Sequence, residues 1–445
     1  MPSTTHPDAF HFDHPVASHW EASAPPLDLP LAPLNGSHSC DIAIIGAGFA
    51  GLSAALELAA HGVAVRVLEA AEPGWGASGR NGGFACVGSH KLAYGTMIRK
   101  HGLEESRRYY RTMKEAVNLV ADLCRRHAIA ADICATGDVT LAHLPSRYQA
   151  FAAERDFMKA NFGEDQEVLP QAALRERGLH GAFFGGLMMP HGFGLHPLKY
   201  VRGLARAAHR AGAVIHPRSR LLRWEEADGH HRLHTDKGTL AARQVLIATN
   251  GYTPEDVMGR MRGRLMPALS NIITTRPLTE AERDAQGWTS TLLAFDSRKL
   301  LHYFRLLPDG RFLFGGRGGT DASAPAGPAY RAALTARFHT LFPAWRHVEI
   351  SHFWRGFVCL AHDLVPYVGP LDEKATVHAA VAWHGNGVAM ATLAGREAAR
   401  RMAGLGPVTP LSAIITNRLA KFPLSAFRPL YLKGAYLWFG WQDAR

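Results

Sequence analysis

Cysteine is sparse in this chain of 445 residues. The five copies, Cys40, Cys86, Cys124, Cys134 and Cys359, form no C-x-x-C pair and no even set. That excludes a disulfide framework and a cysteine zinc site, and it fits a reduced, cytoplasmic interior. Long apolar runs are missing too. No stretch reaches the length of a membrane span, and Met1–Leu34 lacks the basic start and apolar core of a signal peptide. The aromatic cluster Tyr436–Trp441 is too short to span and reads as a tail packed on the body. Blocks of like charge are absent: the formal charge is +11, but its basic residues are scattered, which disfavours a nucleic-acid partner. Histidine is abundant, yet neither His191 with His196 nor the pair His230–His231 has a zinc-ligand spacing, so no metal is expected.

What is present is glycine in ordered places. Asp41–Ile45 reads as a buried strand, Gly46-Ala47-Gly48-Phe49-Ala50-Gly51 as a G-x-G-x-x-G turn, and Leu52–Ala60 as a helix. Val63–Leu68 is a second strand, with Glu69 and Ala70 at its tip. The first glycine permits the turn, the second lets backbone approach a pyrophosphate, and the third lets helix and strand pack closely. The helix N-terminus offers N–H donors to phosphate. A carboxylate about 20 residues on accepts from ribose hydroxyls. A second glycine-rich loop follows at once, with Gly76, Ala77, Ser78, Gly79, Arg80, Asn81, Gly82 and Gly83. A long, extended FAD needs such a second cradle, whereas a mononucleotide does not. The turn Gly385-Asn386-Gly387 opens a further helix at Val388 and Ala389. Its small face (Ala391, Ala394, Gly395, Ala398) allows close packing, and its N-terminus can face an anion.

Between these motifs the pattern alternates. Leu92–His127 is helical, with Tyr109, Met113, Val117, Val120 and Leu123 on one face. Asp138–His143 is a strand, Ser146–Asn161 a helix, and His196-Pro197 opens a helix that ends at Gly212. Strand signals follow at Val214–His216, Leu221–Glu225, His231–Thr235 and Thr239–Ala241, with turns at Asp228-Gly229 and Lys237-Gly238. Gln244–Thr249 is an apolar strand reaching Ala248, Asn250 and Gly251. Lys299–Leu306 and Arg311–Gly315 flank Pro308-Asp309-Gly310 as a hairpin. The expected fold is α/β (α+β): a Rossmann-like cofactor domain in three pieces, 36–90, 191–265 and 351–410, with an inserted, mostly antiparallel substrate domain from 91–190 and 266–350. Residues 1–35 and 411–445 are terminal extensions.

Several segments carry a resemblance: His19-Trp20-Glu21-Ala22-Ser23, IIGAGFAGLSAAL, GWGASGRNGGF, GLHPLKYVRGLARAA, VLIATNGYTP, LPDGRFLFGGRG, WRGFVCLAHDLVPYVG and HGNGVAMATLAG. They run through most of the chain in order. In them the chain resembles the D-amino-acid oxidase superfamily of FAD enzymes, and within it the gamma-glutamylputrescine oxidoreductase branch. The resemblance implies FAD and oxidation of an amine C–N bond: hydride to flavin N5, an imine, then hydrolysis. Electrons then pass to oxygen or another acceptor. Sarcosine oxidases carry a lysine just after their C-terminal glycine turn, where this chain has Val388 and Ala389. That departure favours a long amine, such as a gamma-glutamylated polyamine, over a small α-amino acid. Ala361-His362-Asp363 also departs from the branch pattern, which has Thr before Asp. An amino-acid or N-methyl-amino-acid oxidase or dehydrogenase of the same fold, and a non-catalytic flavin-binding redox sensor or subunit, stay open.

The reacting amine must be neutral. A free alkylamine titrates about three units above pH 7, roughly 4 kcal/mol, and an apolar, aromatic pocket lowers that by desolvation. No side-chain base is required. Tyr303, Arg305, Arg355 and His384 are the candidates for positioning substrate or cofactor, and Arg276 and Arg317 join the arginines to search for a carboxylate partner. Cys359 lies near the position where some relatives link their flavin, but the second loop offers no linking residue at Ser78-Gly79, so a releasable FAD is expected.

Overall fold

The fingerprint segment folds as its pattern dictates. The strand Gly36–Ile45 is followed by the helix Phe49–Ala60 and the strand Val65–Leu68. The computed structural model describes residues 6–227 and 229–444. Met1–Thr5, Asp228 and Arg445 lie outside the described residues, and with them the Asp228 half of the Asp228-Gly229 turn.

The first sheet has the strand order Tyr367–Pro370, Val377–Val381, Gly238–Ile247, Gly36–Ile45, Val65–Leu68, Val214–His216. Its inner pairs are parallel, and Ile42–Ile45 lies in register with Val65–Leu68 on one side and Gln244–Ile247 on the other. The sequence separates Thr239–Ala241 from Gln244–Thr249, but the structure joins them in one strand. Its first half pairs antiparallel with His230–His234 while its whole length pairs with Gly36–Ile45, so no break is needed at Ala242-Arg243.

Three helices stack against this sheet: Phe49–Ala60, Pro197–Arg210 and Gly387–Met402. The small face expected on the last is what lets it cross the first. A Cβ on Gly395 would stand 2.0 Å from the Ala50 carbonyl oxygen, so only glycine permits this crossing. The helical stretch from Leu92 is two helices, Tyr94–His101 and Leu103–Arg126, broken at Gly102 with φ 82°. Its expected apolar face is buried from Tyr109 to Leu123.

The second sheet runs Ile350–Ala361, Leu265–Thr275, Phe312–Arg317, His302–Leu306, Leu293–Asp296, Asp138–Leu141, Gly185–Met189, Glu167–Pro170. All pairs are antiparallel except Leu293–Asp296 with Asp138–Leu141. One boundary moves. The piece 351–410 would place the strand Ile350–Ala361 with the cofactor domain, yet it pairs from Ala361 to Ile350 along Leu265–Thr275. The tail forms the helix Arg428–Gln442, in which Leu432 is buried against the body while Leu437 is 79% exposed.

Candidate active site

One cavity of about 390 Å³ is lined by the carboxyl ends of the first sheet's strands, by the second glycine loop and by the second sheet. Among the sequence candidates, Gly46, Ala47, Gly48, Phe49, Ala50, Glu69, Ala70, Gly76, Ala77, Ser78, Arg80, Asn81, Gly82, Ala248, Asn250, Gly385, Asn386, Gly387, Val388 and Tyr303 line it. Gly51, Gly79, Gly83, Gly251 and Ala389 stand behind that wall. Their smallness serves packing: a Cβ on Gly51 would lie 1.9 Å from the Gly46 carbonyl oxygen, and one on Gly83 2.0 Å from that of Leu195.

Two helix N-termini open on this cavity, and neither has a side-chain cap. Gly48 caps Phe49–Ala60, and Asn386 caps Gly387–Met402 with its side chain turned away to the Val87 and Gly88 carbonyls. Uncapped N–H groups and the positive dipole end suit anionic groups at both places. At the first, the Phe49 N–H donates to Ser78 Oγ (3.0 Å), which ties the second loop to the fingerprint. Glu69 is half-buried at the cavity wall and accepts from the Ala47 N–H (2.7 Å) and the Ala71 N–H (3.0 Å). Burial pushes its carboxyl up, and the amides of Ala71, Ala47 and Ala70 pull it back.

Arg80 and Asn81 hold the loop's shape. The Arg80 guanidinium lies 3.9 Å above the Trp75 ring and donates to the Trp75 carbonyl (2.8 Å). The Asn81 amide donates to the Ala77 and Ser78 carbonyls, and its oxygen accepts from the Gly83 N–H (2.8 Å). Asn250, at φ 47°, accepts from the Ala382 N–H (2.8 Å) and so joins the ends of two neighbouring strands.

Of the four positioning candidates, Tyr303 alone reaches the cavity. Its ring lies between Gly82 and Gly315, where a Cβ would come within 2.8 and 2.2 Å of it. Its hydroxyl meets Ser270 Oγ at 2.9 Å, and burial pushes it up to about 12. Arg305, Arg355 and His384 do not line the cavity. Arg305 is 1% exposed and staples the loop to the body, donating to the Gly82 carbonyl (3.0 Å) and the Leu195 carbonyl (2.6 Å). Arg355 donates to the carbonyls of Asp321, Ala322 and Ser323 and pins that loop. His384 has a wholly buried ring held neutral, its titration pushed down to about 3 by burial. What His384 brings to the site is its carbonyl, which accepts from Arg317 (2.9 Å).

Arg317 and Lys91 complete the wall. Arg317 is one of several arginines in the sequence, and nothing in its spacing distinguishes it. Lys91 falls on the seam between the expected pieces 36–90 and 91–190 and belongs to no motif. Only the fold brings it to Arg317. Lys91 is exposed to the open cavity, and the crowding of protein atoms around it, with the charges of Arg317 and Lys299, lowers its ammonium below the usual lysine range.

The model of the family described as FAD dependent oxidoreductase, DAO, matches residues 41–401. The chain belongs to the DAO family of FAD-dependent oxidoreductases. Similar curated proteins include a probable oxidoreductase OrdL of Haemophilus influenzae, 30% identical over 381 residues, which are 85% of this chain and 86% of the relative. The gamma-glutamylputrescine oxidoreductase of Escherichia coli is 28% identical over 389 residues, 87% of this chain and 89% of its own. Glycine oxidase from Geobacillus kaustophilus shares the fold with a TM-score of 0.69 at 21% identity, over 86% of this chain and 99% of that one.

This DAO-family chain is thus an FAD enzyme. Its uncapped helix ends, its Cβ-free cradle and the half-buried Glu69 fit an extended dinucleotide with anionic groups. Cys359 lines the cavity, but burial raises its thiol far above the range in which a thiolate forms. Flavin is expected in the supernatant after acid precipitation. Flavin mass retained on a Cys359 peptide would overturn this.

Proposed function

We propose that the protein oxidises the C–N bond of an amine that also carries a carboxylate, with gamma-glutamylated polyamines as the substrate class. Arg317 is the observation that carries this reading. It is half-buried in the cavity wall, and among the described residues the ionisable groups that shift it are Tyr436 and Tyr303, with no carboxylate. A partly desolvated guanidinium without an acid favours an anion from outside the chain. Lys91 stands beside it and adds positive charge when protonated. The relative that is named a gamma-glutamylputrescine oxidoreductase supports the long-amine choice. In this reading the pieces 36–90, 191–265 and 362–410 hold the cofactor, and 91–190 with 266–361 shape the substrate side.

The residues divide the work. The amides of Gly48 and Ala50, the Glu69 carboxylate, the Gly76–Gly83 loop and the Gly387 helix end would hold FAD. Bound FAD supplies the two-electron acceptor. Tyr303, Phe84, Phe295, Leu301 and Trp383 give the cavity an apolar, aromatic lining that favours a neutral amine. Arg317 and Lys91 orient the carboxylate. A second reading has its own support. Arg317 is bonded to the glycine turn itself, which suits a carboxylate close to the reacting carbon, as in an α-amino acid. Comparing kcat/KM for gamma-glutamylputrescine, putrescine, sarcosine and D-alanine separates the two. A tenfold preference for sarcosine or D-alanine, about 1.4 kcal/mol of transition-state binding, would give the site to amino acids.

The lowered Lys91 titration has a pH signature. Its ammonium loses its proton at a pH below 10.5, and the attraction for a carboxylate falls as pH rises through that point. The dissociation constant of a competitive carboxylate ligand without an amine should therefore rise on the alkaline side. In Lys91→Arg that limb should move out of range. An unchanged limb in the variant would assign the titration elsewhere.

A further inference from the structure

The C-terminal helix Arg428–Gln442 is apolar on two opposite faces. Its inner face is docked. Leu432 is buried, the Tyr436 hydroxyl is enclosed, and the Asp443 carboxylate accepts from the Lys299 N–H (2.7 Å) and the Leu300 N–H (2.9 Å). At the other end Arg428 grips Glu255 with two bonds of 2.7 Å. Both clamps stand next to cavity-lining residues, Leu301 on one side and Pro254 with Met258 on the other. The helix is therefore held at its two ends beside segments that line the cavity.

Its outer face is in solvent. Leu430 is 58% exposed, Leu437 79% and Trp438 55%, with Tyr431 beside them. At helical spacing Phe427, Leu430, Tyr431, Leu437, Trp438 and Trp441 share one stripe, about a third of the circumference. An apolar helix face normally lies against something. Its charge says what. From Ala398 to Gln442 there is no Asp or Glu; Arg400 and Arg428 are paired with Glu57 and Glu255, which leaves Arg401, Arg418, Lys421 and Lys433 as cations. Trp and Tyr rings with flanking cations are the residues that settle at the headgroup level of a bilayer. No described helix is long and apolar enough to cross a membrane, so contact of this kind stays at the surface.

We propose that the outer face of this helix docks the protein on an anionic lipid surface, with the substrate cavity's rim at the interface. The docking is independent of the substrate reading above. The test is flotation of the full-length holoprotein with vesicles of phosphatidylcholine alone and of phosphatidylcholine with 30% phosphatidylglycerol (a chosen composition, about one anionic lipid in three). The protein is expected to float with the anionic vesicles, and binding should fall as salt rises. Leu430→Ser with Leu437→Ser and Trp438→Ser should lower the partition coefficient at least about tenfold while flavin content and turnover of a soluble substrate stay unchanged. Lys421→Glu with Lys433→Glu should remove the preference for anionic lipid. Three results would overturn the proposal: no binding to either vesicle, equal binding by the triple variant, or a dimer in light scattering that the triple variant abolishes while vesicles capture nothing.

Discussion

Arg317→Met is expected to lower kcat/KM for a carboxylate-bearing amine about a hundredfold or more. Removing one partner of a buried, hydrogen-bonded charge pair costs about 3 kcal/mol, which is roughly 150-fold. The effect should depend on the substrate's own charge. Putrescine has no carboxylate, and its kcat/KM should change little. Arg317→Lys keeps the charge but loses the planar fork that serves both the His384 carbonyl and a ligand, so it should recover only part of the loss. A parallel fall for gamma-glutamylputrescine and putrescine would mean that Arg317 supports the glycine turn and does not read the substrate. The same series in an Arg355→Met background offers a control, since that arginine bonds the carbonyls of Asp321, Ala322 and Ser323 instead of facing the cavity.

Glu69→Ala and Gly48→Val are expected to purify with less than about a tenth of the wild-type flavin. In the first, the Ala47 and Ala71 amides lose the carboxylate that holds them at 2.7 and 3.0 Å. Each buried donor left unpaired costs about 1–3 kcal/mol, and the ribose loses its acceptor. In the second, a Cβ would already stand 2.8 Å from Ser78 Oγ, and the valine branches would enter the space a phosphate must occupy. Flavin absorbance relative to protein, followed by FAD titration of the apoprotein, reads both. Unchanged occupancy in both variants would contradict the cofactor site. A Gly51→Val variant is less informative, because its clash with the Gly46 carbonyl oxygen would disturb the helix whether or not cofactor is bound.

The cofactor half of the site was legible because its chemistry is written in consecutive residues. A turn that needs glycine, a helix that must start there and a carboxylate at a strand tip are local demands. The structure places Gly46, Gly48, Glu69, Ser78 and Gly387 around one cavity. The substrate half is not local. Arg305 and Arg317 lie on adjacent strands of one hairpin, and the sequence gives no reason to prefer either. Pairing decides it: Arg305 is directed to the Gly82 and Leu195 carbonyls, whereas Arg317 ends its strand at the cavity. Lys91 is invisible to motif reading for the same reason. The pairing of Ile350–Ala361 with Leu265–Thr275, about 85 residues away in the chain, is not local either. Only long-range register shows the pairing. The exposed face of the last helix shows a further limit, since an apolar run in a sequence does not say which of its sides is covered.

The account's central claim is that a carboxylate-bearing amine reduces the flavin in this cavity. Anaerobic mixing of the wild-type holoenzyme with gamma-glutamylputrescine, followed at the flavin's long-wavelength band, tests it most directly. The account predicts bleaching within the time of a turnover, at least about tenfold faster than with putrescine at equal concentration, a difference of about 1.4 kcal/mol. No bleaching with any compound of the amine panel, or equal rates with and without the carboxylate, would contradict it.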